Sequence, residues 1–247
     1  MVLGVIPARY QSTRLPGKPL QLIHGKTLIR RVYENTLRAR HIDRLIVATD
    51  DERIAEHVRT FGGEAVMTPA ELPSGTDRCA YLARDIECDI VANIQGDEPF
   101  LDPGVLDACI GALLDDESLN VSTAARWNIT EAELLNPNVV KVLINSGGEA
   151  IYFSRQNIPY FRSGTIDVTQ HPALVHIGLY VYRKKFLLNF AEMPESALER
   201  AEKLEQLRIL ENGYPIKVIS TETPCLGIDT PEDLEKAERI LLENDGN

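Results

Sequence analysis

Short apolar runs alternate with helix-length amphipathic segments through the first half of this chain, and that rhythm constrains the fold more than any other feature. Val2–Pro7, Arg44–Thr49, Glu64–Met67, residues 89–95 and Val121–Ala125 each read as a short strand. Most are apolar throughout, as strands buried on both faces must be. Between them, Thr27–Arg40 reads as a helix with Leu28, Val32 and Leu37 near one face. Asp51 can cap a second helix that stops at Gly62-Gly63. Asp102 followed by Pro103 is a cap plus first-turn proline, opening a helix to about Leu114. Strands alternating with helices in this way predict the α/β class with a mostly parallel sheet.

From Asn128 to Tyr182 the rhythm changes. Val139–Ile144, Tyr152–Phe153 and Leu174–Tyr182 read as strands with few helices between them. We expect residues 128–182 to form an antiparallel lobe, inserted in or appended to one domain spanning residues 1–247. Ser196 and Glu199 form a capping box for a helix expected to end near Asn212-Gly213. Ile216–Ser220 is a late strand, and Thr230-Pro231 opens a last helix to about Leu242.

Composition removes several function classes. The formal net charge is −11, whereas a duplex binder needs a basic footprint, so nucleic acid is not an expected partner. No apolar run approaches the roughly 18 residues of a membrane span. The N-terminus reaches Pro7 and Arg9 too early for a signal peptide. Cys79, Cys88, Cys109 and Cys225 form no C-x-x-C pair, so reduced thiols and a cytoplasmic location are expected.

Familiar phosphate and metal motifs are absent. No G-x-G-x-x-G and no H-E-x-x-H occurs. Gly25-Lys26-Thr27 lacks the earlier P-loop glycine, because residue 20 is Leu20, and it reads as a helix start. Three other segments can carry chemistry. The loop after the first strand gathers Arg9, Ser12, Thr13, Arg14, Gly17 and Lys18. Pro16 and Pro19 forbid a helix there. Arg forks and a Lys point charge suit phosphate oxygens at the carboxyl end of a strand; a solvated basic loop is the alternative. Gln95-Gly96-Asp97-Glu98-Pro99 ends the fourth strand with an acid, a position suited to a hard cation, or else a plain turn. Asp229 precedes the last helix, where an acid also complements the helix dipole. If Asp97 and Asp229 converge, they hold a metal against a triphosphate, with the first loop on the other side. Ser74 reads as a helix cap or a nucleotide-base contact, and His176, in an apolar strand, as a satisfied core residue. Arg155 pairs with an anionic substrate or a surface acid.

Taken together, these segments resemble the 3-deoxy-manno-octulosonate (Kdo) cytidylyltransferases, or CMP-Kdo synthetases. The stretches are IPARYQSTRLPGKPL from Ile6, VATD from Val47, SGTDR from Ser74, NIQGDEP from Asn93 and NPNVVKV from Asn136. YFSR from Tyr152, HIGLYVYR from His176, LEQLR from Leu204 and GIDTPEDL from Gly227 continue in the family's order. The first stretch is shared in looser form by many enzymes that activate sugars; QGDEP with HIGLYVYR and LEQLR is specific to the Kdo enzymes. The resemblance implies a Rossmann-like nucleotide-diphospho-sugar transferase fold with a small dimerisation lobe, a homodimer, and Mg²⁺. It implies CTP plus Kdo giving CMP-Kdo and diphosphate, for lipopolysaccharide biosynthesis. By position, Arg9, Ser12, Arg14 and Lys18 would surround the triphosphate, and Ser74 and Gly75 would lie near the cytosine. Asp97 and Asp229 would ligate the metal, and Gln95 would lie by the sugar. Arg155, His176, Tyr180, Glu205 and Gln206 would line the sugar pocket. Val175, Tyr160 and Ala201 depart from the family pattern around that pocket. Rival readings are a relative of the same fold that activates sialic acid or a sugar 1-phosphate, and a non-catalytic nucleotide-binding module. The second would need neither Asp97 nor Asp229.

Overall fold

The computed structural model describes residues 1–11, 15–162, 164 and 167–245. Along the chain, β1 (Val2–Ala8) is followed by a 3-10 turn (Lys18–Leu20), then β2 (Leu22–Ile23) and β3 (Lys26–Thr27). Next come α1 (Leu28–Thr36), β4 (Arg44–Thr49), α2 (Glu52–Thr60), β5 (Glu64–Met67), α3 (Gly75–Asp85) and β6 (Ile90–Asn93). The middle of the chain forms α4 (Pro103–Asp115), β7 (Val121–Arg126), α5 (Glu131–Leu135), β8 (Lys141–Ile144), β9 (Ala150–Ser154) and β10 (Leu174–Arg183). It ends with α6 (Lys184–Glu192), α7 (Ala197–Glu202), α8 (Gln206–Glu211), β11 (Lys217–Thr221) and α9 (Pro231–Asp245). Two compact units result: residues 1–107 with 225–247, and residues 108–224. The span 128–182 lies wholly within the second.

In the first unit four strands run in the order β6-β1-β4-β5, all parallel. β1 pairs Leu3 with Arg44 and Ala8 with Thr49 on one side, and Val2 with Ile90 and Val5 with Asn93 on the other. Leu3, Val5, Ile6, Ile46, Val47 and Val91 are wholly buried. Each such side chain contributes about 1.5–3 kcal/mol relative to exposure. α3 packs on β1 and β6, and α2 on β4 and β5. The two helices start as their caps dictate. The Asp51 carboxylate accepts the Arg53 N–H at 3.0 Å, and the Ser74 hydroxyl accepts the Asp77 N–H at 3.1 Å. Because every strand is parallel, the loops after β1, β4, β5 and β6 all leave from one edge of the sheet, where such sheets carry their sites.

In the second unit β11 pairs in parallel with β7, while β10 runs antiparallel to both β7 and β8, and β9 antiparallel to β8. Of these strands β8 and β9 lie within residues 128–182 and β10 nearly so, while β7 and β11 lie outside that span. β10 bulges: its register against β7 shifts between Ile177 and Tyr180. One expectation is corrected here. The single helix expected from Ser196 to Asn212 is two helices, α7 and α8, broken at Lys203, whose backbone is left-handed (φ 53°). No glycine or proline marks the break. It is held from outside, by Arg155 donating to the Glu202 carbonyl at 2.7 Å and to the Lys203 carbonyl at 3.4 Å. Gly25-Lys26-Thr27 also differs from expectation. Lys26 and Thr27 pair as a hairpin strand with Leu22 and Ile23, and helix α1 begins only at Leu28.

Candidate active site

The loop after β1 is anchored before it is aimed. The Asp51 carboxylate, besides capping α2, accepts from Arg53, whose guanidinium lies 3.3 Å over the Tyr10 ring. The Tyr10 carbonyl in turn accepts the Gly17 N–H at 3.2 Å. Gly17 has φ +63°, and a Cβ there would stand 3.2 Å from the Tyr10 ring, so only glycine suits the turn. Lys18 follows directly, held at its backbone by the Leu15 carbonyl and by buried Pro19.

The Lys18 ammonium donates to Asp97 Oδ2 at 2.6 Å and to Asp229 Oδ1 at 2.8 Å. The two acids expected to share one cation therefore meet at one ammonium, all three within the first unit. Asp97 is delivered by the turn after β6 and Asp229 by the segment before α9. The two backbones are joined by Ile228 N–H donating to the Asp97 carbonyl at 2.9 Å. Asp233 shapes the Asp229 turn, accepting from the Asp229 N–H at 3.2 Å and the Thr230 N–H at 3.0 Å. Burial works against the Lys18 ammonium, but Asp97 and Asp229 outweigh it and hold its pKa above the ordinary lysine value. Burial likewise opposes the Asp233 charge, and the hydrogen bonds from Asp229 and Thr230 prevail, so its carboxyl titrates low.

These oxygens fit a hard ion. Among the described residues no group of three or more His, Cys, Asp and Glu side chains gathers as a metal cage. Two carboxylates are what an ion of the Mg²⁺ kind uses when phosphates and water complete its shell.

Other expected residues of this unit surround the end of β1. A Cβ on Gly96 would stand 3.0 Å from the Pro7 carbonyl oxygen, and one on Gly75 3.1 Å from the Pro7 ring. The QGDEP turn and the start of α3 thus both press on the strand end that launches the first loop. Ser74 caps α3, as one of its two readings expects. Arg9 donates to the Leu72 carbonyl, tying the first loop to the approach to α3. Gln95 is half-buried at the head of the turn, its carbonyl accepting from Glu98. Ser12 and Arg14 lie outside the described residues.

The second unit holds the remaining candidates. The imidazole of His176 sits 5.1 Å from the Phe153 ring and 5.4 Å from the Tyr180 ring. Its Nε2 lies 3.0 Å from Thr123 Oγ1, whose own proton is given to the Leu179 carbonyl at 2.6 Å. Since that hydroxyl's single proton is spent, His176 Nε2 carries the proton and donates. Desolvation pulls the imidazole pKa down to about 3, so the ring is neutral at physiological pH. Tyr180 is 8% exposed, and its buried hydroxyl meets no hydrogen-bond partner among the described residues. Burial raises the phenol pKa well above its ordinary value. An orphaned buried hydroxyl costs about 1–3 kcal/mol unless a ligand meets it. Gln206 is buried in the first turn of α8 and Glu205 half-buried just before it. Arg155 spends its guanidinium on the carbonyls of Glu202, Lys203 and Pro137. Sequence reasoning foresaw neither these partners nor Lys141. That ammonium is fully buried and donates to the carbonyls of Asn136, Val139 and Arg155 at 3.0, 2.7 and 2.6 Å. Also unforeseen is Arg78, fully buried in the first unit, which donates to Asp50 at 3.1 Å and to Thr68. The SGTDR and NPNVVKV stretches contain both residues, and that membership was the only signal.

Comparison with known proteins places the chain in a family. The cytidylyltransferase family matches residues 3–219. The 3-deoxy-manno-octulosonate cytidylyltransferase of Syntrophotalea carbinolica is 51% identical, over 97% of this chain and 98% of that protein. The enzyme of the same name from Syntrophobacter fumaroxidans is 49% identical, over 98% of both chains. A solved CMP:2-keto-3-deoxy-manno-octonic acid synthetase, complexed with CTP, superposes with a TM-score of 0.92 at 41% identity, covering 98% of this chain and 99% of that one. Among the described residues no helix is long and apolar enough to cross a membrane. The chain belongs to the cytidylyltransferase family, with the 3-deoxy-manno-octulosonate cytidylyltransferases as its near relatives.

Proposed function

We propose that this chain transfers the cytidylyl group of CTP to Kdo, giving CMP-Kdo and diphosphate, in lipopolysaccharide precursor synthesis in the cytoplasm. The observation that carries the reading is the convergence of Asp97 and Asp229 on one cation, with Lys18 supplying that cation. The anomeric oxygen of the sugar attacks the α-phosphorus and its hydroxyl proton passes to solvent, the new P–O bond forming as the bond to diphosphate breaks. Two anionic substrates must approach each other, so the barrier is largely positioning and charge. Asp97 and Asp229 would hold Mg²⁺, which when bound supplies charge neutralisation at phosphate oxygens. Lys18 suits the leaving diphosphate, and Arg9, Ser12 and Arg14 the rest of the triphosphate. Ser74 and Gly75 suit the cytosine, and Gln95 the sugar. His176 serves as a neutral donor and not as an acid or base, since burial keeps it uncharged. The buried Tyr180 hydroxyl, unpartnered among the described residues, suits a sugar oxygen. Glu205 and Gln206 suit the same ligand, with Arg155 acting through the turn at 202–203 that precedes them.

We further read the assembly as a homodimer formed through the second unit. Leu135, Ile151 and Tyr160 are 63%, 58% and 88% exposed there, and large apolar side chains left in water favour burial against a partner. Diphosphate release tests the activity. With CTP and Mg²⁺, Kdo should support release while sialic acid and sugar 1-phosphates should not. Release with a sugar 1-phosphate in place of Kdo would overturn the substrate assignment, and no release with any sugar would overturn the enzymatic one.

A further inference from the structure

The Lys18 ammonium sits where the two acids of the proposed ion site point, at 2.6 Å from Asp97 and 2.8 Å from Asp229. Its side chain is only 14% exposed, so it is an internal partner of these carboxylates and not a surface decoration. We propose that Lys18 is the resident cation of the Asp97–Asp229 pair, and that a divalent ion gains both carboxylates only as the ammonium leaves them. The proposal rests on the reading that this pair holds the ion, and adds that the chain competes with the ion for its own site.

The chemistry follows from charge and reach. An ammonium and a dication repel at contact distance, and both want the same two oxygens. The Lys18 backbone is fixed by the left-handed Gly17 and by buried Pro19, while its four-carbon stem is flexible. The ammonium can therefore swing without moving its loop. Once off the acids it needs another anion, and the nucleotide's triphosphate is one. Ion and nucleotide thus favour each other's binding, a coupling of the reciprocal kind. Lys18 is in this respect a positioning residue, setting when the acids become available.

The test uses the full chain without nucleotide and Mn²⁺ alone as probe, with free Mn²⁺ read by electron paramagnetic resonance. Lys18→Met should bind Mn²⁺ about tenfold or more tighter than the wild type, and Lys18→Arg, which keeps the charge, should stay within about threefold of it. Lys18→Gln makes the same test should the methionine variant not fold. Asp97→Asn should lose the site in either background. A merely structural lysine would not tighten ion binding when removed. Equal or weaker binding by the charge-free variants, with Asp97→Asn still abolishing it, would overturn the role of Lys18 and leave the carboxylate pair as the ion site. Absence of saturable binding by both wild type and charge-free variants would overturn both.

Discussion

Asp97, in the first unit, and His176, in the second, show how differently two expected functional residues are governed by their surroundings. Asp97 stays in contact with water and with the Lys18 ammonium, 29% exposed, so an arriving cation can reach it once that ammonium moves away. Replacing it with Asn keeps the shape and removes the charge. We expect turnover to fall by about a hundredfold or more while the far-UV circular dichroism is unchanged. Near-normal activity would remove the acid from the mechanism. His176 is half-buried between the Phe153 and Tyr180 rings, and desolvation lowers its pKa from 6.5 to about 3 in the folded chain. In the unfolded chain it protonates near 6.5, so the unfolded state takes up the extra proton as pH drops. His176 therefore costs no stability above pH 6.5, and costs about 1.4 kcal/mol per pH unit from there down to about 3. His176→Gln should flatten the decline of the urea midpoint between pH 7 and pH 5 relative to the wild type. Parallel declines would contradict the assignment.

At the scale of elements, the parallel strands were the most legible part of the chain. β4 and β5 occupy the very residues that their apolar runs predict, Arg44–Thr49 and Glu64–Met67; β4 is buried from Leu45 to Thr49 and so leaves a continuous signal, while β5, at the sheet edge, is only half-buried. The break between α7 and α8 was illegible, because its cause is a guanidinium far along the chain and not a local residue. Lys141 was hidden for a related reason: charge normally marks surface, and three converging carbonyls, with the Glu202 charge, make its burial tolerable. Asp97 and Asp229 could be named from their places after a strand and before a helix, but that Lys18 would join them is a property of the fold. Two substitutions test the element accounts. Lys203→Gly relieves a left-handed backbone and should raise stability by about 0.5–1 kcal/mol in urea unfolding; a loss would mean the Lys203 side chain matters more than its backbone. Gly96→Ala sets a methyl 3.0 Å from the Pro7 carbonyl and should cost about 1–3 kcal/mol and shift the Asp97 turn with loss of activity. An unchanged midpoint and rate would show that the turn can yield.

For the molecule as a whole, the dimer reading predicts a solution mass twice the 27.6 kDa of the chain, by light scattering on the eluting peak. A peak of chain mass would contradict it. The net charge of −11 sharpens the functional problem, since CTP and Kdo are anions approaching an anionic protein. A cationic focus must exist where they meet, and in the proposed account a divalent ion held by Asp97 and Asp229, together with Lys18, would provide one. The most direct test is diffraction from crystals grown with CTP and Mn²⁺, recorded for anomalous scattering. The account predicts a manganese peak bound by carboxylate oxygens of both Asp97 and Asp229, with the Lys18 ammonium moved onto phosphate. A peak held by phosphates alone, with Lys18 still on the two acids, would contradict it.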